Sequence, residues 1–294
     1  MAHTTAGEDA LVVLRTDAGD SALVSLHGAQ LLSWVPAGGP EQLYASPLSR
    51  PAAGKSVRGG APICFPQFSE RGPLPRHGFV RTSRWELVSA PSPHAAVAEA
   101  RFQVDSITAS SRWEHAFCLV LVVRLGPGWI ELHLQAANTG RSAYDFTAAI
   151  HTYLALPDVA GARLEGLQGC IYEDNLAGLQ RRPETAGALS FGTEIDRVYL
   201  RTPPLLRLED GGALRHVVQQ GFPDTVVWNP GPAKAARLGD MPSGDWRRML
   251  CVEAAAAGTP VHLAPGKTWR GLQRLELPQA PGFDAAQATP VSGA

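Results

Sequence analysis

Three short stretches of this sequence carry side chains that could do chemistry together. The first runs from Val57 to Trp85 and gathers Arg58, Arg76, His77 and Arg81 among glycines and prolines, a poor way to build a core. A guanidinium is a planar fork of donors that grips phosphate or carboxylate through two hydrogen bonds, so several arginines near rigid turns point to an anionic ligand group. Arg58 is followed by Gly59 and Gly60, where the missing side chains would let a ligand approach the backbone. The competing reading is a set of surface arginines paired with acids such as Glu70 and Glu86. The second stretch, Thr147 to Leu154, reads as a strand. By alternation His151 shares a face with Thr147, Ala149 and Tyr153, while Ile150, Thr152 and Leu154 face the other way. A histidine beside small residues has room for a ligand; the alternative is a buried histidine held by a neighbouring hydroxyl or carbonyl. The third stretch, Arg248 to Ala255, is also strand-like and has Glu253 as the only acid inside its apolar run. An unpaired carboxylate there is costly, so it must find partners or sit at a cleft. Desolvation would raise its pKa and make it a better base at neutral pH. A structural salt bridge to Arg247 or Arg248 is the other outcome.

The elements that must position these groups are strands. Short apolar runs at Ser21 to Trp34, Phe117 to Arg124, Trp129 to Ala136, Phe146 to Leu156, Thr225 to Trp228, Met249 to Ala254 and Val261 to Leu277 are separated by Gly and Pro. In the third of these, Ile130, Leu132 and Leu134 alternate with Glu131, His133 and Gln135, the period of a sheet with one wet face. With 30 glycines and 24 prolines spread along 294 residues, long helices have few open windows, since an interior proline costs about 3 kcal/mol. The expectation is an all-β protein, a large antiparallel β-sandwich. Residues 11–277 read as one domain, residues 1–10 as a loosely ordered start, and residues 278–294 as a flexible tail rich in Ala, Gly, Pro and Thr.

Composition excludes several classes. A net charge of −1 argues against a general binder of nucleic acid or anionic membrane. No basic leader joined to an apolar segment and no apolar run of about 18 residues is present, so the cytoplasm and no membrane are expected. Cys64, Cys118, Cys170 and Cys251 lie far apart without a C-x-x-C pair and read as buried reduced thiols, with no metal site. Pro265-Gly266-Lys267-Thr268 resembles the end of a P-loop, but Val261 stands where its first glycine belongs, and a β-turn is the better reading. There is no G-x-S-x-G elbow and no H-E-x-x-H helix. His27, His94, His115, His133, His216 and His262 are scattered and read as structural or exposed.

Taken together, the motifs resemble the aldose 1-epimerase superfamily, and within it the hexose-6-phosphate mutarotase branch. The matching stretches are R-G-G-x-P-x-C-F-P-Q-F from Arg58, L-P-x-H-G-F-x-R from Leu74, H-T-Y from His151, E-x-D-R-V-Y from Glu194, W-N-P from Trp228 and C-V-E-A from Cys251. The resemblance implies a galactose-mutarotase-like supersandwich, a sugar cleft on one sheet face, a small-molecule sugar phosphate as substrate, and no cofactor; a monomer is expected. By the same comparison His151 matches the catalytic acid and Glu253 the catalytic base. Arg58, His77 and Arg81 match residues lining the substrate site, Asp196 matches an acid that contacts sugar hydroxyls, and Trp228 could stack on the apolar sugar face. Two departures stand out. Arg76 occupies a position that usually holds Gln, which alters that contact or adds a phosphate ligand; Gly231-Pro232 follows Asn229 where an aromatic is commoner. A free-aldose epimerase and a non-catalytic carbohydrate-binding sandwich are the rival readings.

Overall fold

The computed structural model describes residues 10–278 apart from 51, 53, 94 and 110–112. The expectations for residues 1–9, for the tail from 279 and for His94 therefore fall outside the described residues.

The architecture is antiparallel β, as expected. A nine-stranded sheet runs, in spatial order, Ala188–Ser190, Arg163–Glu165, Leu205–Asp210, Ala213–Gln220, Thr268–Glu276, Trp129–Asn138, Phe117–Gly126, Ala98–Asp105 and Glu86–Ser89. An eight-stranded sheet packs on it, in the order Gln180–Pro183, Ile171–Asp174, Ile195–Leu200, Asp224–Asn229, Met249–Leu263, Tyr144–Ile150 and Ile63–Cys64, with Tyr153–Ala155 also pairing with Met249–Leu263. Three short strands, Leu11–Arg15, Ser21–Ser25 and Leu31–Val35, form a separate small sheet. The longest α-helix among the described residues is Gly231–Ala235, five residues long, and none is long and apolar enough to cross a membrane.

Period-two alternation sorts the residues as read from sequence. Ile130, Leu132 and Leu134 are fully buried in the core between the sheets, together with Leu119, Leu121, Phe146, Ile150, Val252 and Ala254. His133 and Gln135 on the other face are partly exposed. Glu131 departs from the expected wet face: it is buried between Arg274 (2.8 Å) and Arg124 (3.0 Å), whose guanidinium groups offset its desolvation, and meets His133 at 2.9 Å. Pro265 and Gly266 form the expected turn, closed by Lys267 N–H donating to Ala264 O at 3.1 Å. Cys64 and Cys251 are buried free thiols, whereas Cys118 and Cys170 are only partly buried, a correction to the uniform reading.

Two further corrections concern the site's framework. Thr147 to Leu154 is not one strand: pairing stops at Ile150 and resumes at Tyr153. Across the break, His151 N–H donates to Pro62 O (2.9 Å) and Tyr153 N–H to Gly60 O (2.8 Å). Thr152 turns inward and hydrogen-bonds Gln273, whose amide donates to Val252 O at 3.0 Å, so the gap in the sheet is filled by side-chain bonds. The face assignment survives, because His151 and Tyr153 stack on one side with ring centroids 4.7 Å apart.

Gly59 and Gly60 do not make room for a ligand. Gly60 has φ +60, and a Cβ there would collide with the Leu31 carbonyl; one on Gly59 would meet the backbone of Tyr44 and Ala45. Chain packs on chain at these glycines, and this seats Arg58. Gly60→Ala combines a left-handed backbone with that collision, so it should lower stability by about 2 kcal/mol or more. A fall in the urea midpoint with unchanged slope would bear this out, whereas an unchanged midpoint would contradict the packing.

Candidate active site

The strand Met249–Leu263 sits between Asp224–Asn229 on one side and Tyr144–Ile150 with Tyr153–Ala155 on the other. Leu250, Val252 and Ala254 face the core, so Cys251 and Glu253 face outward. Register does the rest. Cys251 lies opposite both Trp228 and Tyr153, and Trp228 lies opposite Asp196, which lines up Asp196, Trp228, Cys251 and Tyr153 across the sheet. Ala254 pairs with Ile150, so His151, the next residue, arrives beside Glu253. Every candidate named from sequence (Arg58, Arg76, His77, Arg81, His151, Asp196, Trp228 and Glu253) lines one cleft on this outer face.

At the floor of the cleft His151 Nδ1 lies 3.2 Å from Glu253 Oε1. The alignment is not that of a hydrogen bond, and both Nδ1 and Glu253 Oε2 are buried without a hydrogen-bond partner among the described residues. Glu253 is 1% and His151 8% exposed. Burial drives the Glu253 carboxyl well above the ordinary carboxylate range, and the Asp196 charge pushes it the same way. Burial also drives His151 well below its ordinary range, reinforced by His77 and the guanidinium groups of Arg81 and Arg58. Both shifts disfavour the charged forms of the pair. The salt bridges weighed from sequence do not form: Arg247 pairs with Asp158, and Glu253 faces His151.

The arginines come from loops. Arg58 Nε pairs with Asp240 at 2.8 Å, its Nη1 reaches Tyr153 Oη at 3.4 Å, and its guanidinium sits 6.0 Å from the Trp228 ring. Its acid is thus Asp240, not Glu70 or Glu86. Arg81, on the single turn Val80–Thr82, donates through Nη2 to Arg76 O at 2.9 Å and keeps a buried Nε without a partner among the described residues. The loop carrying Arg76 and His77 is pinned by Gln67, whose side chain bonds Ser69 O (3.1 Å) and both the N–H and C=O of Leu74 (2.9 Å each). Asp196 Oδ1 accepts from Asn175 Nδ2 at 2.6 Å, and burial raises its pKa.

Sequence reasoning missed a second loop. Asn229 donates to Trp246 O and Met249 O (2.7 Å each) and accepts from Gly231 N (2.8 Å), tying both ends of the excursion between them. Gly231, at φ +59, passes against the backbone of Glu194, where a Cβ would not fit. The stretch after Gly231-Pro232 builds this edge: Lys234 and Leu238 line the cleft, with Lys234 Nζ on Glu194 at 2.7 Å. Tyr153, Phe68, Ser69 and Asn175 also line it. Tyr153 stood inside a quoted motif and could have been found from its face. Asp240 has no local signal, being 182 residues from Arg58.

His151, Cys251 and Glu253 place metal-type donor atoms within 4.8 Å of one another. The Cys251 thiol is driven well up by burial, and the nearby guanidinium of Arg58 opposes an added dication. The donor set therefore suits protons better than a metal.

Comparisons with known proteins bear on the family and the fold. The family model for aldose 1-epimerase matches residues 10–276. A protein of Cenchrus ciliaris named "Putative glucose-6-phosphate 1-epimerase" is 36% identical over 95% of this chain and 88% of its own length. One of the same name from Escherichia coli K12 is 34% identical over 82% and 84%. A crystal structure described as a putative mutarotase from Salmonella typhimurium superposes with a TM-score of 0.82 at 28% identity, covering 94% of this chain and 95% of that one. A galactose mutarotase-like protein from Lactobacillus casei, at 14% identity and a TM-score of 0.69 over 91% and 99% of the two chains, shares the fold.

A carboxyl whose folded pKa is raised contributes its full stability only below its unfolded value near 4.5 and loses it as pH rises. Glu253→Gln, a neutral isostere, should therefore melt a few degrees above the wild type at neutral pH, with the gap closing as pH falls towards 4.5. Thermal melts across that range that show no gap would count against the buried, unpaired carboxyl.

Proposed function

We propose, from the premise that this chain belongs to the aldose 1-epimerase family, that it interconverts the α and β anomers of a hexose 6-phosphate, glucose 6-phosphate being the first candidate. The observation that carries this reading is the His151–Glu253 pair, 3.2 Å apart at the floor of a cleft walled by arginines.

Mutarotation removes a proton from the anomeric hydroxyl and gives one to the ring oxygen, which opens the hemiacetal to the aldehyde. Rotation about the C1–C2 bond presents the other carbonyl face, and the reverse transfers close the ring. One base and one acid suffice. Glu253 as carboxylate is the base and His151 as imidazolium the acid. That working state differs from a neutral pair by one proton moved from the carboxyl to the imidazole, whose facing atoms lie 3.2 Å apart. Hydrogen bonds from sugar hydroxyls to the Glu253 carboxylate favour its charged form, so substrate binding draws the proton across.

The remaining side chains orient the sugar. Asp196 accepts from hydroxyls and Trp228 covers an apolar face. Arg81 and Arg76 are better placed than Arg58 to hold the phosphate: neither carries an acid partner among the described residues, whereas Arg58 is spoken for by Asp240. Arg58 then holds Tyr153 and Trp228 in place at the cleft wall.

His151→Ala and Glu253→Gln should each lower the anomerisation rate by about 10² to 10⁴-fold with the fold intact. Exchange NMR on glucose 6-phosphate reads this directly, and near-normal exchange in either variant would sink the acid–base assignment. Arg81→Ala should cut kcat/KM roughly 10- to 100-fold on glucose 6-phosphate while changing it far less on glucose. Equal losses on the two sugars would instead favour a free-aldose enzyme.

A further inference from the structure

His77 enters the cleft beside His151, with ring centroids 5.3 Å apart. The backbone fixes its position unusually firmly. Ser69 and His77 both have positive φ, +50 and +64, and they clasp one another: His77 N–H donates to Ser69 O at 2.9 Å, and Ser69 N–H donates to His77 Nδ1 at 3.3 Å. Gly78 follows at φ +70 with its Cα against Phe65 O, where no side chain would fit. Non-glycine residues in the left-handed region cost about 1–3 kcal/mol each, so two in one clasp mark a conformation the surrounding loop must enforce.

The contacts of Nδ1 decide which ring nitrogen carries the proton. A backbone N–H can only donate, so the long Ser69 contact makes Nδ1 of His77 an acceptor, and a second donor is needed to hold it so. Cys64 Sγ lies 3.3 Å from the same Nδ1, and with Nδ1 unprotonated its S–H is the donor. The hydrogen of the neutral ring is then on Nε2, which has no partner among the described residues while the ring lines the cleft. Burial and the charges of Arg81, Arg76 and Arg58 lower the pKa of His77 to about 3, which favours the neutral ring. Cys64 is fully buried, and burial raises its thiol pKa, so it stays an S–H donor rather than a thiolate.

By the family resemblance His77 lines the substrate site; we propose that Cys64 is the positioning residue that keeps the His77 ring hydrogen on Nε2. The effect on sugar turnover rests on the mutarotase reading; the tautomer and the role of Cys64 do not. The two histidines of the cleft thereby divide the work. His151, in contact with a carboxyl, exchanges its proton; His77, fastened from behind by two donors, keeps its own on Nε2 and offers a fixed dipole.

The test uses the full chain labelled with ¹⁵N-histidine, its imidazole nitrogens read by long-range ¹H–¹⁵N correlation. In the wild type His77 should show an unprotonated Nδ1 and a protonated Nε2, unchanged from about pH 8 to about pH 5. A protonated Nδ1, or titration in that range, would overturn the proposal without any variant. Cys64→Ala should admit the second tautomer into the His77 signals and lower kcat/KM on glucose 6-phosphate several-fold, up to about tenfold; Cys64→Ser, which restores a donor of similar size, should return both to within about twofold of wild type. An unchanged His77 spectrum and kcat/KM in Cys64→Ala, or a Cys64→Ser variant as impaired as Cys64→Ala, would remove Cys64 from the role. If no sugar phosphate is anomerised but the spectra behave as stated, the functional reading fails and the tautomer assignment stands.

Discussion

Everything at the cleft depends on the antiparallel register of one strand, Met249–Leu263, with its two neighbours. A one-residue slip in a β-pairing turns every side chain to the other face. Here that would send Glu253 into the apolar layer formed by Val252, Ala254 and Ile150 and expose those residues to solvent. The register is therefore enforced by the same hydrophobic burial that holds the sheets together. No separate device is needed to aim the carboxyl, and the site inherits the rigidity of the core.

That economy has a cost, visible in the electrostatics. A carboxyl and an imidazole are buried side by side with polar atoms that no described residue satisfies. Native proteins seldom leave such groups orphaned except where a ligand completes them. Besides burial, the guanidinium groups of Arg81 and Arg58 depress the basicity of both histidines, and Arg76 that of His77. An anionic ligand placed among them would neutralise part of that field and make an imidazolium at His151 easier to form. On the proposed reading, phosphate recognition and acid strength are coupled through this field, although the groups concerned come from separate parts of the chain.

The sheet side of this arrangement was legible in the sequence, and the loop side was legible only in part. Period-two alternation placed His151 with Tyr153 and isolated Glu253 as an acid in an apolar run, because strand periodicity is a local property. Ordered motifs identified the arginines. Their partners could not be read, since Asp240 meets Arg58 only after the chain has crossed the whole sandwich. The glycine pair after Arg58 was misread for a related reason: a positive φ signals a close approach but does not say what approaches, and here it is the chain's own backbone. The break at His151–Thr152 was likewise invisible, because it is held by Gln273 from the opposite sheet.

The two kinds of scaffold also differ in what they can change. Glu253 and His151 are fixed by pairings that involve the core, so altering their placement would disturb the packing of both sheets. Arg76, Lys234 and Leu238 sit on loops tied to the framework by single amide side chains, Gln67 and Asn229. The two departures from the family pattern, at Arg76 and at Gly231-Pro232, both fall on these loops. Loops supported in this way can exchange one substrate contact for another at little expense to the fold. Proton transfer is consequently assigned to the part of the molecule that packing holds still, and recognition of what is bound to the sugar is left to the part that can drift.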